Sequence, residues 1–356
     1  MRMLSFLTTG HVMPLAALSY WQQTLIKVLV VLITVPTATA IIVQTFLFKV
    51  MAHMQSRLGP MEAGPHGALQ LMADGGKFVQ KELLAPERAD KRIYVLAPVV
   101  VLVSTFLVFV VIPVGPALAG ENLDIGIFYA LAVSSLSVIG ILMAGWASAN
   151  KYSLIGGLRA AGQLIAYELP LVLAVVGVVI QSGTMNLSKI VDAQVHTRVS
   201  FFGLFDWHGI PYFIPQFIGF LLFLVATQAE LTQTPFDMPV AESELVAGYQ
   251  TEYSGLLFLF FYIGEFGTAF GLSAIGATLF LGGWYFPGFP HSGFVGNLLA
   301  VGVLFAKVMG VAFLIFWIRF TYPRFREDQL QSFAWKVLIP LSLVNIAAAA
   351  VLKVVF

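Results

Sequence analysis

Eight stretches of this chain are each apolar for about 20 residues, the length needed to cross about 30 Å of hydrocarbon. Five are uninterrupted, near 25–48, 93–114, 126–149, 297–318 and 335–355; three carry internal polar residues, near 164–181, 210–229 and 255–283. Lipid offers no partner to backbone N–H and C=O groups, so each stretch must satisfy its own backbone as a helix. The predicted fold is therefore all-α, a polytopic membrane protein of eight transmembrane helices. With no linker and no internal repeat visible, 1–356 is expected to form a single membrane domain.

Composition supports this reading. The chain is 59% hydrophobic and 10% charged, against about 25% charged for a soluble domain. A net charge of +1 supplies no basic field for nucleic acid. There are no cysteines, which excludes disulfides, thiolate zinc sites and cysteine-ligated iron–sulfur clusters within this chain. Six scattered histidines without an H-x-x-x-H pair argue against haem or metal. The first residues lack an apolar core followed by a cleavage site, so they read as mature protein, with the first span as insertion signal.

Orientation follows from the basic residues. Connections 49–92, 150–163, 229–254 and 319–336 hold Lys49, Arg57, Lys77, Lys81, Arg88, Lys91, Arg92, Lys151, Arg159, Arg319, Arg324, Arg326 and Lys336. The opposite side holds only Arg2, Lys189, Arg198 and Lys353, while Lys27 and Lys307 fall inside spans. The positive-inside rule then puts the basic face in the cytoplasm and both termini on the outer, periplasmic side.

The long connections carry the chemistry. Residues 67–84 place Leu69, Met72, Gly76, Val79 and Leu83 at helical spacing, the pattern of an amphipathic helix on the membrane surface. Asp74, Lys77 and Lys81 mark its polar face. The preceding QSRLGPMEAGPHG is dense in Gly and Pro and predicts tight turns around Arg57 and Glu62. Two acids fall within spans: Glu168, read as about one turn inside the fourth and followed by Pro170, and Glu265, between Gly264 and Gly267 in the sixth. An ionised acid at mid-membrane costs about 2.5–3.5 kcal/mol on insertion scales, so such residues face a bundle interior or a wet cavity and mark ligand sites or proton paths. The fifth connection holds Glu230, Asp237, Glu242, Glu244 and Glu252 and no Lys or Arg. It reads as five uncompensated acids, suited to proton transfer or to docking a partner. Phe236, Pro235, Pro239, Leu245 and Tyr249 between them argue for packing. Arg319, Arg324 and Arg326 on the same side anchor the seventh span or partner the acids. Gly156 and Gly157 read as helix packing. Catalytic triads, phosphate loops and dinucleotide fingerprints are absent from the sequence.

Four segments in order, QSRLGPMEAGPHGALQLMADGGKFVQKE, GWASANKYSLIGGLRAAGQLIAYELPL, AELTQTPFDMPVAESELVAGYQTEYSG and IRFTYPRFREDQL, resemble the quinone-site membrane subunit of NADH-quinone oxidoreductase, respiratory complex I. The likeness covers the chain from the first span to the eighth. It implies a non-redox subunit of a proton-translocating enzyme, not catalytic alone, in a bacterial inner (plasma) membrane or an organelle inner membrane. A lipid quinone such as ubiquinone would enter near the first span, the surface helix and the sixth span, with Arg57, Asp74, Phe236, Asp237, Arg319 and Arg324 lining or bracing the chamber. Glu168, Glu230, Glu242, Glu244 and Glu265 would form the proton path. Electrons would come from FMN and iron–sulfur clusters in peripheral-arm partner subunits, with neighbouring membrane-arm subunits and membrane lipids as further partners. Leu47 and Phe48 before Lys49, and Met61 and Glu62, depart from the family pattern of charged residues at that corner. Two other readings are the equivalent subunit of a membrane-bound hydrogenase and a stand-alone ion or solute carrier.

Overall fold

The computed structural model describes residues 19–116, 118–197, 210–287 and 293–355. The N-terminal segment with Arg2, read as mature protein, and Arg198 lie outside the described residues.

Eight helices are long and apolar enough to cross a membrane, and the protein is a multi-pass, all-α membrane protein. Helix α1 (Tyr20–Met54) starts with exposed Tyr20 and Trp21 and widens into a π-helical stretch over Val43–Val50. Surface helix α2 (Gln70–Gln80) follows. Helix α3 (Lys91–Phe109) begins at Asp90, whose carboxylate accepts from the N–H groups of Arg92 and Ile93 at 3.2 and 3.4 Å, satisfying donors that a helix start leaves free. A two-stranded antiparallel ribbon, β1 (Pro113–Gly115) with β2 (Leu118–Ala119), takes the end of the stretch predicted to continue the second span to 114. Helix α4 (Gly126–Ala147) breaks at Ser135. Helix α5 (Lys151–Ser182), surface helix α6 (Leu187–Thr197), α7 (Ile210–Glu230), α8 (Gly255–Phe280), α9 (Gly293–Thr321) and α10 (Glu327–Val355) complete the order.

Two boundaries correct the sequence reading. Residues 150–163, expected as a connection, are helical from Lys151, because Asn150 caps that end by accepting from the Tyr152 N–H at 2.8 Å. Polar residues and glycines depress hydropathy there, yet small residues are what a close helix contact needs. Glu168 consequently lies in the middle of α5 rather than one turn inside a span. Lys151, Arg159, Arg319 and Lys336 likewise sit on helix ends rather than in loops. Helix α6 was not foreseen.

Helix α8 occupies the centre, packed against α1, α3 and α9 and touching α2, α6 and α7; α5 packs against α4, α7 and α10. Close approaches explain the glycines. A Cβ on Gly157 would come within 3.2 Å of the Gly145 Cα on α4, and one on Gly264 within 2.7 Å of Val101 on α3. The carbonyls that the end of α8 leaves unpaired are closed from outside the helix. Gln194 Nε2 donates to Thr278 O and Leu279 O, and Lys307 Nζ to the carbonyls of Leu281, Gly283 and Tyr285 at 2.6–2.9 Å. A lysine read only as lying within a span thus neutralises three carbonyl dipoles.

Candidate functional site

A cavity of about 720 Å³ lies between α1, α2 and α8. Pro36, Thr39, Ala40, Val43 and Phe48 form one wall, Leu259, Tyr262 and Ile263 another, and Leu71, Asp74, Gly75 and Phe78 close it from α2, with Lys77 and Lys81 at its edge. Its lining is apolar apart from a few polar groups, the composition that holds a ligand by burial and orients it by a small number of polar contacts. Asp74 accepts from Gln70 Nε2 at 3.0 Å and faces Lys77 Nζ at 3.6 Å. The loop before α2 folds back onto α1: Gln44 Nε2 donates to Gly67 O at 3.1 Å and Lys49 Nζ to Pro60 O at 2.7 Å. Gly67 has φ +75°, and a Cβ there would lie 2.1 Å from Pro60 O, so only glycine makes this turn.

Helix α2 is turned the opposite way from its sequence pattern. The stripe Leu69, Met72, Val79 and Leu83 is exposed, Met72 at 75% and Val79 at 67%, whereas Leu71, Asp74, Gly75 and Phe78 face the cavity. The physical reason is the solvent: in a membrane-embedded protein an outward apolar stripe is satisfied by lipid, so the polar face is free to turn toward the bundle. The helix also ends at Gln80, short of 84.

Beneath the acidic connection the polar groups are joined across helices. Gln233 Nε2 donates to Glu265 Oε1, and Gln233 Oε1 accepts from Arg319 Nη1. The Arg319 guanidinium lies 5.8–6.0 Å from the ring centres of Phe266, Phe316 and Phe320, an arrangement in which aromatic faces stabilise a cation away from water. Arg324 Nη2 pairs with Asp237 Oδ2 at 2.9 Å and its Nη1 donates to Ser243 Oγ at 3.1 Å. Arg159 Nη1 meets Glu244 Oε2 at 2.5 Å, with Glu327 at 3.4 Å. Asn150 Nδ2 donates to Glu252 Oε1 at 2.5 Å. The acids of this connection are therefore compensated by arginines on α5 and beyond α9, which corrects their reading as uncompensated. Spacing along the chain could not reveal partners that lie 85 and 87 residues away.

Glu230 Oε2 is buried without a hydrogen-bond partner and feels the charge of Glu168. Glu168 in turn accepts from Ser135, at the break in α4. Outside the spans, burial pushes the Tyr249 hydroxyl above its ordinary range, and the negative charge of Glu265 pushes the same way. Burial does the same to Tyr253, whose ring stacks on Tyr94 with centroids 4.2 Å apart.

Of the residues expected in the chamber, Asp74 lines the cavity. Arg57 is exposed and donates to Gln55 Oε1 at 2.8 Å. Phe236 is buried between Tyr167, Phe325 and Phe333, and Asp237, Arg319 and Arg324 belong to the junction below the acidic connection. Glu168, Glu230, Glu244 and Glu265 all lie on this side of the bundle; Glu242 opens a short helix, Glu242–Leu245, and its side chain lies outside the described residues. Gln233, Arg159 and Tyr262 were not foreseen. Nothing marks an uncharged glutamine as a bridge until its two partners are seen.

A sequence model of the NADH dehydrogenase family matches residues 26–350. The chain belongs to this family. Its relatives include an NADH-quinone oxidoreductase membrane subunit of Brevibacillus brevis, 47% identical over 303 residues covering 85% of each chain. The same subunit in Bacillus mycoides and in Anoxybacillus flavithermus is 45% and 44% identical, each covering 86% of this chain and 87% of the relative. The family match runs through the cavity-lining residues of α1, α2 and α8 and through the junction alike, so both features belong to the family domain.

Proposed function

We propose that this chain is the non-redox membrane subunit of a proton-translocating NADH:quinone oxidoreductase in the bacterial inner membrane. It shapes the quinone chamber and couples quinone reduction to proton movement. The observation that carries this reading is the continuity of α8. Tyr262 and Ile263 line the cavity, and Glu265, one turn on from Tyr262, is tied through Gln233 to Arg319. One rigid helix therefore presents a ligand wall at one point and an intramembrane acid one turn away.

Quinone plus two electrons and two protons gives quinol, so reduction in a closed chamber creates a demand for protons. A chain without cysteine has no thiolate to ligate an iron–sulfur cluster, and electrons come from partner subunits carrying FMN and iron–sulfur clusters. The residues of this chain supply the apolar walls, the carboxylate of Asp74 at the cavity edge and the row Glu265, Glu230 and Glu168. Charges a few ångströms apart in a poorly screened interior interact by several kcal/mol. A proton gained or lost near Tyr262 thereby shifts the balance at Glu265, and the arginine-paired acids of the connection form the border with partner subunits.

The test is the assembled complex in sealed vesicles. Glu265→Gln keeps shape and removes the titrating group; coupled turnover is expected to fall at least about tenfold, about 1.4 kcal/mol in barrier, with the complex still assembled. Full turnover and full proton pumping by this variant and by Glu168→Gln would sink the proposal.

A further inference from the structure

We infer that Gln233 is the positioning residue through which Arg319 holds Glu265 in its working state, a neutral amide joining the cation beyond the loop to the intramembrane acid. The inference rests on the reading of Glu265 as a proton-path acid.

Three observations carry it. Gln233 is 2% exposed, and both ends of its amide are engaged: Nε2 donates to Glu265 Oε1 and also to Leu231 O at 3.3 Å, and Oε1 accepts from Arg319 Nη1. Other buried glutamines, Gln163 and Gln228 among them, keep an oxygen with no partner. An amide so placed has a fixed direction, because its NH₂ can only donate and its oxygen can only accept. Reversing it would set oxygen against carboxylate and NH₂ against guanidinium. The second observation is the backbone. Thr232, next to Gln233, has φ +50°, a left-handed conformation that a β-branched residue adopts only when its surroundings demand it. The turn delivers Gln233 inward, and Thr232 bears the conformational cost of that placement. The third is the immobility of the cation. Three phenyl rings surround the Arg319 guanidinium, so the charge at the far end of the bridge is fixed.

The chemistry follows from what an amide can and cannot do. A direct Arg319–Glu265 pair would lock the acid in its charged form by full Coulomb attraction. A bridging amide passes on only part of that attraction, as polarisation along a hydrogen-bond chain. Glu265 is thus favoured as an acceptor without being trapped. Asp237 and Tyr249 also act on Glu265 from the connection, and Tyr262 from the cavity wall; none of them bridges it to a cation.

The experiment uses the whole complex in vesicles. Gln233→Met keeps side-chain length and removes both links; Gln233→Glu keeps shape and an oxygen for Arg319. In Gln233→Met, kcat for coupled quinone reduction is expected to fall about tenfold with KM for quinone unchanged, and Gln233→Glu is expected to recover part of the loss. The carboxyl infrared band assigned to Glu265, by its disappearance in Glu265→Gln, is expected to shift in Gln233→Met. The Arg319→Gln and Gln233→Met losses are expected to combine as less than their product, as for residues acting in one chain. An assembled Gln233→Met complex with parental kcat and an unmoved band overturns the inference. If Gln233→Met does not assemble, an unmoved band and parental kcat in Gln233→Glu overturn it instead. A silent Glu265→Gln brings down the underlying function, whereas a damaged Glu265→Gln beside a silent Gln233→Met removes only this role.

Discussion

Two glycines on the basic face show how differently the two halves of the site are built. A Cβ on Gly75, on the cavity side of α2, would meet nothing within 4 Å; a Cβ on Gly156, on α5, would lie 2.7 Å from the Tyr249 N and 2.8 Å from the Gly248 Cα. The chamber is roomy, mostly apolar and closed by a single surface helix none of whose residues is fully buried. The junction is close-packed, with backbone pressed on backbone and arginine on carboxylate. A space for a diffusing lipid-soluble molecule has to be open, while a set of acids whose mutual fields matter has to be held still. Each half should therefore break in its own way.

The largest effect belongs to Gly156→Val. The new side chain cannot coexist with Gly248 and Tyr249, and the clash is with backbone rather than a flexible side-chain end. Overpacking of this kind costs about 1–3 kcal/mol or more, and here it lifts off the segment bearing Glu244, which Arg159 holds. Loss of assembled complex on native gels is the expected result, together with loss of the quinone-dependent activity. Normal assembly with full activity would show that the connection is not clamped by this contact.

How much of this was legible in the sequence depends on the physics involved. Eight helices were readable because hydrocarbon thickness imposes a length and forbids other backbone. Burying Glu168 and Glu265 is costly, so their types alone marked them. The 151–163 end of α5 was not readable as helix, since close packing selects the small residues that lower hydropathy. The facing of α2 was read backwards: amphipathicity identifies two faces, and which one turns inward depends on whether the outer medium is water or lipid. Gln233 and Arg159 carried no signal at all, because their meaning lies in partners that only the fold brings near.

Gly75→Trp probes the other side of the comparison. Space for the added side chain exists, so the fold should tolerate it while the cavity shrinks. A ligand that depends on apolar volume loses uniform binding, which raises KM and leaves kcat alone. A KM for quinone higher by about tenfold, with kcat within twofold, corresponds to about 1.4 kcal/mol of binding lost. A fall in kcat at constant KM would mean instead that α2 acts on the acids, and the division between an open chamber and a rigid junction would have to be redrawn.

The smallest effect is expected at the cavity rim. Lys77 faces Asp74 at 3.6 Å with its side chain 75% exposed, and ion pairs this open contribute about 0–1 kcal/mol. Lys77→Gln should thus change the quinone KM by less than about fivefold, the ceiling that 1 kcal/mol sets, and should weaken whatever salt dependence the KM has, because exposed charges are the ones salt screens. The contrast with Arg324 sharpens the point. Its pair with Asp237 is closer, at 2.9 Å, and more enclosed, with side chains 28% and 21% exposed. If Lys77→Gln matched the loss caused by Gly75→Trp, the rim charge rather than the apolar volume would be selecting the ligand, and a lipid-soluble quinone would be the wrong class of molecule for this chamber.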